Sequence, residues 1–140
     1  RRQRQMCIRD SWDDAGWTID DSVIFARELK QLGCDFVDCS SGGNSPNRPP
    51  VGPGFPGYQL PFSEQVRNES DIPTIAVGML RDYHLAEEAI SNGKADLIAL
   101  GRGMLYDSRW AWHAAHELGG KASYPNQYAR SEPEKWPKAF

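Results

Sequence analysis

The 140-residue sequence is poor in the residues that build metal centres and disulfide frameworks. It has three cysteines, Cys7, Cys34 and Cys39, with no CxxC pair, and three histidines, none at zinc spacing from a thiol. A disulfide scaffold and a structural zinc site are therefore excluded; reduced thiols in a cytoplasmic protein without bound metal are expected. No apolar run approaches the roughly 20 residues needed to cross a bilayer, so a membrane helix is excluded. A basic surplus is also missing. The formal charge of −3 argues against general binding to nucleic-acid phosphates. What is present, 39% hydrophobic residues in a chain of this length, suits one ordinary domain.

The first eleven residues differ from the rest. They carry four Arg against one Asp, leaving 12 basic and 18 acidic residues elsewhere. The segment has no apolar h-region, no serine enrichment and no repeating apolar stripe, so a nucleic-acid arm, a transit peptide and an amphipathic membrane helix all fit poorly. One reading frame of a transposase-type sequencing adaptor translates to residues 1–10, and its trailing bases open a codon compatible with Ser11. Residues 1–11 are accordingly expected to be non-native and are set aside from the fold. Native sequence is expected from about Trp12, in the middle of a longer gene, which makes the chain a fragment.

Residues 12–120 alternate helix and strand. Thr18 and Asp21 have the spacing of a capping box, and Ile19, Val23, Phe25, Ala26, Leu29 and Leu32 follow at helical spacing up to Gly33. A strand is expected at residues 35–39, then a Gly/Pro-rich loop over 40–57. Pro61 opens a second helix to Glu69, with Phe62 and Val66 inward. Residues 74–77 and 97–100 read as strands covered on both faces. Between them Asp82 caps a helix carrying Leu85, Ala86, Ala89 and Ile90. Asp107 or Ser108 caps a last helix with Ala111, Ala114, Ala115 and Leu118 inward. The tail, residues 121–140, is expected to be irregular.

This alternation predicts an α/β protein of about three parallel βα units plus a leading helix. A doubly wound sheet and a barrel both fit the pattern. Small residues after every strand, Ser40-Ser41-Gly42-Gly43, Gly78 and Gly101-Arg102-Gly103, favour the barrel. In a (β/α)8 barrel the active face lies at the strand C-termini, where the last two strands often build a phosphate site beside a short extra helix. Gly78 and Gly101 allow backbone to approach a phosphate, Arg102 can fork onto its oxygens, and residues 103–106 suit the short helix. Glycines that serve only as turn residues are the bland alternative.

Asp38-Cys39-Ser40-Ser41-Gly42-Gly43, Gly57-Tyr58-Gln59-Leu60-Pro61-Phe62, Ala76-Val77-Gly78 and Ala95-Asp96-Leu97-Ile98-Ala99-Leu100-Gly101-Arg102 occur in that order. Together they resemble the old yellow enzyme family, and within it the bacterial NADPH dehydrogenase subclass of FMN-dependent ene-reductases. The resemblance covers about residues 12–130 and corresponds to the C-terminal half of a (β/α)8 TIM barrel. It implies FMN as cofactor, NADPH as hydride donor and an activated alkene as small-molecule substrate. It further implies that Val77, Gly78, Gly101 and Arg102 surround the FMN phosphate. Gln127-Tyr128-Ala129-Arg130 resembles the C-terminal segment whose arginine, here Arg130, enters a neighbouring subunit's active site in a homo-oligomer. In the family the catalytic residues precede this segment, so none is expected within it.

Other candidates have plainer readings. His84, His113 and His116 fall on helices, away from strand ends, and read as surface residues. Glu87 and Glu88 are adjacent on a helix and point apart, which suits a solvated face. Cys39 ends a strand with nothing nearby to lower its pKa, so it reads as a packed thiol. Trp110 and Trp112 are expected to pack a helix against the barrel or another subunit. Two alternatives to the flavoenzyme reading stand: half of another phosphate-gripping barrel, such as an isomerase or a sugar-phosphate dehydrogenase, and an inactive truncated product. A half-barrel exposes strand edges and an apolar inner layer, so the isolated chain is expected to be inactive and prone to self-association.

Overall fold

Backbone hydrogen bonds join four strands into one parallel sheet. They are β1 (Gln3–Arg9), β2 (Phe36–Ser41), β3 (Thr74–Ala76) and β4 (Leu97–Ile98), in the order β1-β2-β3-β4. The connections carry α1 (Ile19–Gln31), α2 (Leu60–Ser70) and α3 (Tyr83–Ser91), and α4 (Arg102–Tyr106) and α5 (Trp110–Glu117) follow β4. This computed structural model describes the backbone of residues 3–9 together with residues 17–42 and 54–139. A sheet that adds each new strand beside the last, without reversal, has the order of a barrel segment. A doubly wound sheet reverses at its switch point.

The helices form because their ends are satisfied and one face of each is apolar. Thr18 Oγ1 accepts from the Asp21 amide at 3.2 Å and Asp21 Oδ2 accepts from the Thr18 amide at 2.9 Å, completing the capping box of α1. The Thr18 hydroxyl, which donates to Asp21 Oδ2 at 2.7 Å, and then the Thr18 amide hold the Asp21 carboxyl below the usual carboxylate range. Asp82 Oδ1 accepts from the Leu85 amide at 2.9 Å and starts α3. Val23, Ala26 and Leu29 of α1 meet Val66 of α2 and Val37 and Cys39 of β2 in one core cluster with Ile72. A second cluster joins Leu60, Ala76, Leu80, Ala89 and Ala95. Alternate strand residues thus face the helices, and the row Asp38, Ile75 and Leu97, paired across β2, β3 and β4, lies on the other face. At the start of β3, Asp96 accepts from Arg67 Nε at 3.0 Å and from the Thr74 amide at 2.9 Å, tying α2 to two strands.

Several expectations need correction. Residues 3–9, set aside from the fold, form β1, in register with β2 from Gln3↔Phe36 to Cys7↔Ser40. Backbone groups make such a ladder whatever the origin of the segment. The last strand was expected to be buried over residues 97–100, yet β4 has two residues and Leu97 is 49% exposed. Among the described residues no strand pairs with the far side of β4, so the opposite-face side of Leu97 meets solvent. Phe25 and Leu32 lie outside the core: Leu32 is the C-cap of α1, and Phe25 meets Trp17 edge-on at 6.0 Å. The last helix is not capped by Asp107 or Ser108. Its N-cap is Arg109, whose amide donates to Asp107 Oδ1 at 3.0 Å, and Ala114 is its buried residue while Ala111 and Leu118 are exposed.

By contacts the chain divides into two units, Arg1–Gly103 and Met104–Phe140. In the second unit the tail is not irregular. It forms short 3-10 turns at Asn126–Ser131, Pro133–Lys135 and Pro137–Ala139. Trp112 of α5 receives Tyr124 at 4.7 Å and Tyr128 at 5.5 Å between ring centres, and the Arg109 guanidinium lies 5.3 Å from the Tyr128 ring centre. The tail is thus the neighbour of Trp112 within this unit, held by aromatic and cation–π contacts.

Ile72 is 1% exposed in the first cluster. Ile72→Val is expected to lower unfolding free energy by about 0.5–1.5 kcal/mol, measured by urea denaturation of the chain.

Candidate functional site

Parallel strands release their chains on one side of the sheet, and the ends of β2, β3 and β4 open there. β3 and β4 are neighbours in the register Ala76↔Ile98, and the Ala99 amide still donates to the Ala76 carbonyl at 2.8 Å. Val77-Gly78 and Leu100-Gly101 therefore continue directly from the ends of two adjacent, paired strands. Gly78 is buried and has φ of 124°, a conformation closed to side chains with a Cβ. Among the described residues, the amides of Gly78 and Gly101 donate to no protein acceptor. A buried N–H group without a protein partner calls for water or a ligand.

The two glycines have different surroundings. A Cβ on Gly78 would meet Gln59 Nε2 at 3.0 Å and Tyr58 Cε1 at 3.2 Å, whereas a Cβ on Gly101 would find nothing within 4 Å. Open space therefore borders the Gly101 backbone. Arg102 is exposed and begins α4, one residue earlier than the sequence pattern places the short helix. A Cβ on Gly103 would lie 3.7 Å from the Arg81 side chain, so the loops after β3 and β4 touch there. Val77, half-buried, ends the β3 side of the rim. The structure thus places Val77, Gly78, Gly101 and Arg102 at adjoining strand ends. Arg130 lies in the second unit, exposed on the turn Asn126–Ser131. Gly43 and residues 43–53 of the long loop lie outside the described residues.

Sequence reasoning did not single out Gln59. Its Oε1 accepts from the Ser41 amide and from Ser41 Oγ (2.8 Å), and its Nε2 donates to the Val77 carbonyl at 3.3 Å. It is 4% exposed, and it joins the ends of β2 and β3. The available signal was its place in the motif Gly57-Tyr58-Gln59-Leu60-Pro61-Phe62, as a polar side chain between Tyr58 and Leu60 at the start of a helix. Met79, with φ of 56°, is a second feature invisible in the sequence.

The titratable candidates are not arranged for chemistry. Cys39 is buried, and burial, with Asp38 nearby, pushes its thiol up to about 12. Asp38 sits beside Ile75 on the face away from the helices, with no partner for Oδ1 among the described residues, and burial raises its carboxyl above the usual range. His84 and His116 are exposed, as are Glu87 and Glu88. His113 Nδ1 pairs with Asp107 Oδ2 at 2.7 Å on the surface of α5.

The sequence profile of the NADH:flavin oxidoreductase / NADH oxidase family matches residues 5–120. The chain belongs to this family. It is 46% identical over 115 residues to an NADPH dehydrogenase of Geobacillus thermodenitrificans, covering 82% of this chain and 33% of that protein. It is 43% identical over 119 residues to an NADPH dehydrogenase of Bacillus subtilis, covering 85% of this chain and 34% of the relative. An NADPH dehydrogenase of Listeria innocua is 39% identical over 116 residues, with 83% and 33% covered. The chain spans about a third of the length of the curated relatives it matches. The family match begins within the segment that forms β1.

The flavin that this family's description implies can be tested against the rim. Acceptor-free N–H groups at Gly78 and Gly101, space beside Gly101 and an exposed guanidinium at Arg102 suit a phosphate dianion, which needs fixed donors rather than a broadly basic surface. The residues fit the phosphate end of FMN.

Two outcomes follow from the titrating groups. The Asp38 carboxyl is raised from 3.8, so the stability it carries is present below that value and is lost as pH rises through the folded pKa. Asp38→Asn is expected to unfold at higher urea than wild type at pH 7, with the gap closing towards pH 3. Cys39 is expected to react with a disulfide reagent at pH 8 only as fast as the chain opens, in a thiol-labelling time course.

Proposed function

We propose that the chain supplies the phosphate-gripping rim of an FMN-dependent NAD(P)H oxidoreductase that reduces activated alkenes. The observation that carries this is the pair of neighbouring rims at Val77-Gly78 and Gly101-Arg102, whose glycine amides have no protein acceptor among the described residues. Membership of the NADH:flavin oxidoreductase / NADH oxidase family and relatives named NADPH dehydrogenase support it. They also favour it over an isomerase or a sugar-phosphate enzyme, whose phosphate sites have the same general form.

The roles in this reading are positional. Gly78 and Gly101 present N–H groups to phosphate oxygens, Val77 flanks the first, and Arg102 adds charge-assisted bonds from its planar fork. When bound, the flavin supplies the hydride chemistry, between NADPH and the alkene. No residue of this chain is assigned a chemical step. In the same reading the sheet continues into a (β/α)8 barrel, the protein acts in the cytoplasm, and residues 1–11 derive from an adaptor. Arg130, presented on its 3-10 turn, reaches the active site of a second subunit in a homo-oligomer.

Arg102→Ala is expected to weaken FMN binding by roughly 1.5–3 kcal/mol, the range for a hydrogen bond to a charged group, in a titration following flavin fluorescence. Unchanged affinity removes Arg102 from the site. NADPH oxidation driven by an activated alkene, assayed in protein containing this segment, checks the activity; consumption that ignores the alkene overturns the substrate class.

A further inference from the structure

Gln59 stands at the N-cap of α2 but makes no capping bond to its own helix. Its amide is committed elsewhere, and its partners fix which way it points. The Ser41 amide can only donate, so Oε1 must face it; the Val77 carbonyl can only accept, so Nε2 must face that. The Val77 carbonyl and the Gly78 N–H belong to one trans peptide and point in opposite directions. With the carbonyl held by Gln59, the N–H is turned away from Gln59, towards the side where it has no protein acceptor among the described residues. The next peptide is held as well, because the Gly78 carbonyl accepts from the Gly57 amide at 2.9 Å. Both peptides flanking Gly78 are thus anchored by the segment just before α2.

We infer that Gln59 is a positioning residue for phosphate recognition: by holding the Val77 carbonyl it aims the Gly78 N–H at the phosphate of the bound flavin mononucleotide. The bonds to Ser41 join the same side chain to the end of β2. This inference rests on the phosphate reading of the rim given above. Gln59 touches no reacting atom, and its effect is confined to the orientation of one donor.

The test compares FMN with riboflavin, which lacks the phosphate, by flavin fluorescence titration of the full chain. Wild type is expected to prefer FMN. Gln59→Met, close in shape but without hydrogen-bonding groups, is expected to reduce that preference about tenfold while riboflavin affinity stays unchanged. Gln59→Glu keeps the acceptor for Ser41 but loses the donor to Val77, so it is expected to behave in the same way, and it carries the test if Gln59→Met does not fold. Ser41→Ala, which removes only the hydroxyl contact, is expected to lower thermal stability and leave the preference intact. A wild-type chain with no preference for FMN overturns the phosphate reading itself. A wild-type preference that survives in the Gln59 variants, with or without a fall in melting temperature, overturns only the role of Gln59.

Discussion

The parallel direction of the strands is the constraint from which the rest follows. Chains that run the same way must all leave the sheet at the same end, so loops far apart in sequence are delivered to one line. The short β3–β4 ladder does this with two residue pairs, and the Ala99 amide is still bonded to the Ala76 carbonyl where both chains turn away. Two buried clusters keep that line in place: α1 and α2 pack on Val37 and Cys39, and α3 packs on Ala76. The helix layer sets the sheet, the sheet sets the strand ends, and the strand ends set the glycine amides. Binding would then draw on a geometry already formed, since none of these contacts has to be made when an anion arrives.

The order of elements was legible because burial imposes period on the sequence. The capping box at Thr18 and Asp21, the Asp82 cap and the buried run at Thr74–Ala76 are local signals that the tertiary fold does not overrule. What was not legible depended on neighbours. β4 reads as a buried strand in residues 97–100, yet only two residues pair, because the chain turns out of the ladder after Ile98. Asp107 has the chemistry of a cap, but its carboxylate is engaged by the Arg109 amide and His113, and the helix starts later. The tail reads as polar and proline-rich, and periodicity cannot reveal that Trp112 gathers Tyr124 and Tyr128 around it. At the rim the glycines and Arg102 were visible as residue types. Gln59 was not, since its importance lies in three bonds to residues 18 positions away on either side.

Charge plays a local part. The chain is acidic overall, at −3, while the rim offers neutral N–H donors and the Arg102 guanidinium. A fixed dipole cradle and a net negative charge are compatible, because the donors act at contact distance and the remaining charges are screened over about 8–10 Å at physiological salt. Asp38 adds a contrary element: a carboxyl on the non-helical face, with one oxygen unpartnered among the described residues, costly to keep ionised beside Ile75. The same face carries Leu97 half-exposed, so that surface is less settled than the helix-covered one.

Gly78 and Gly101 look alike as letters but answer to different masters. The protein's own atoms, Gln59 and Tyr58, forbid a side chain at the first, whereas nothing within reach of the second forbids a methyl group there. A screen that scores folding alone would flag one and pass the other, and a drift from glycine to alanine at Gly101 would go unnoticed until a ligand tried to enter. In the proposed phosphate reading, any need for glycine at that position comes from the ligand, and the chain's own packing does not enforce it.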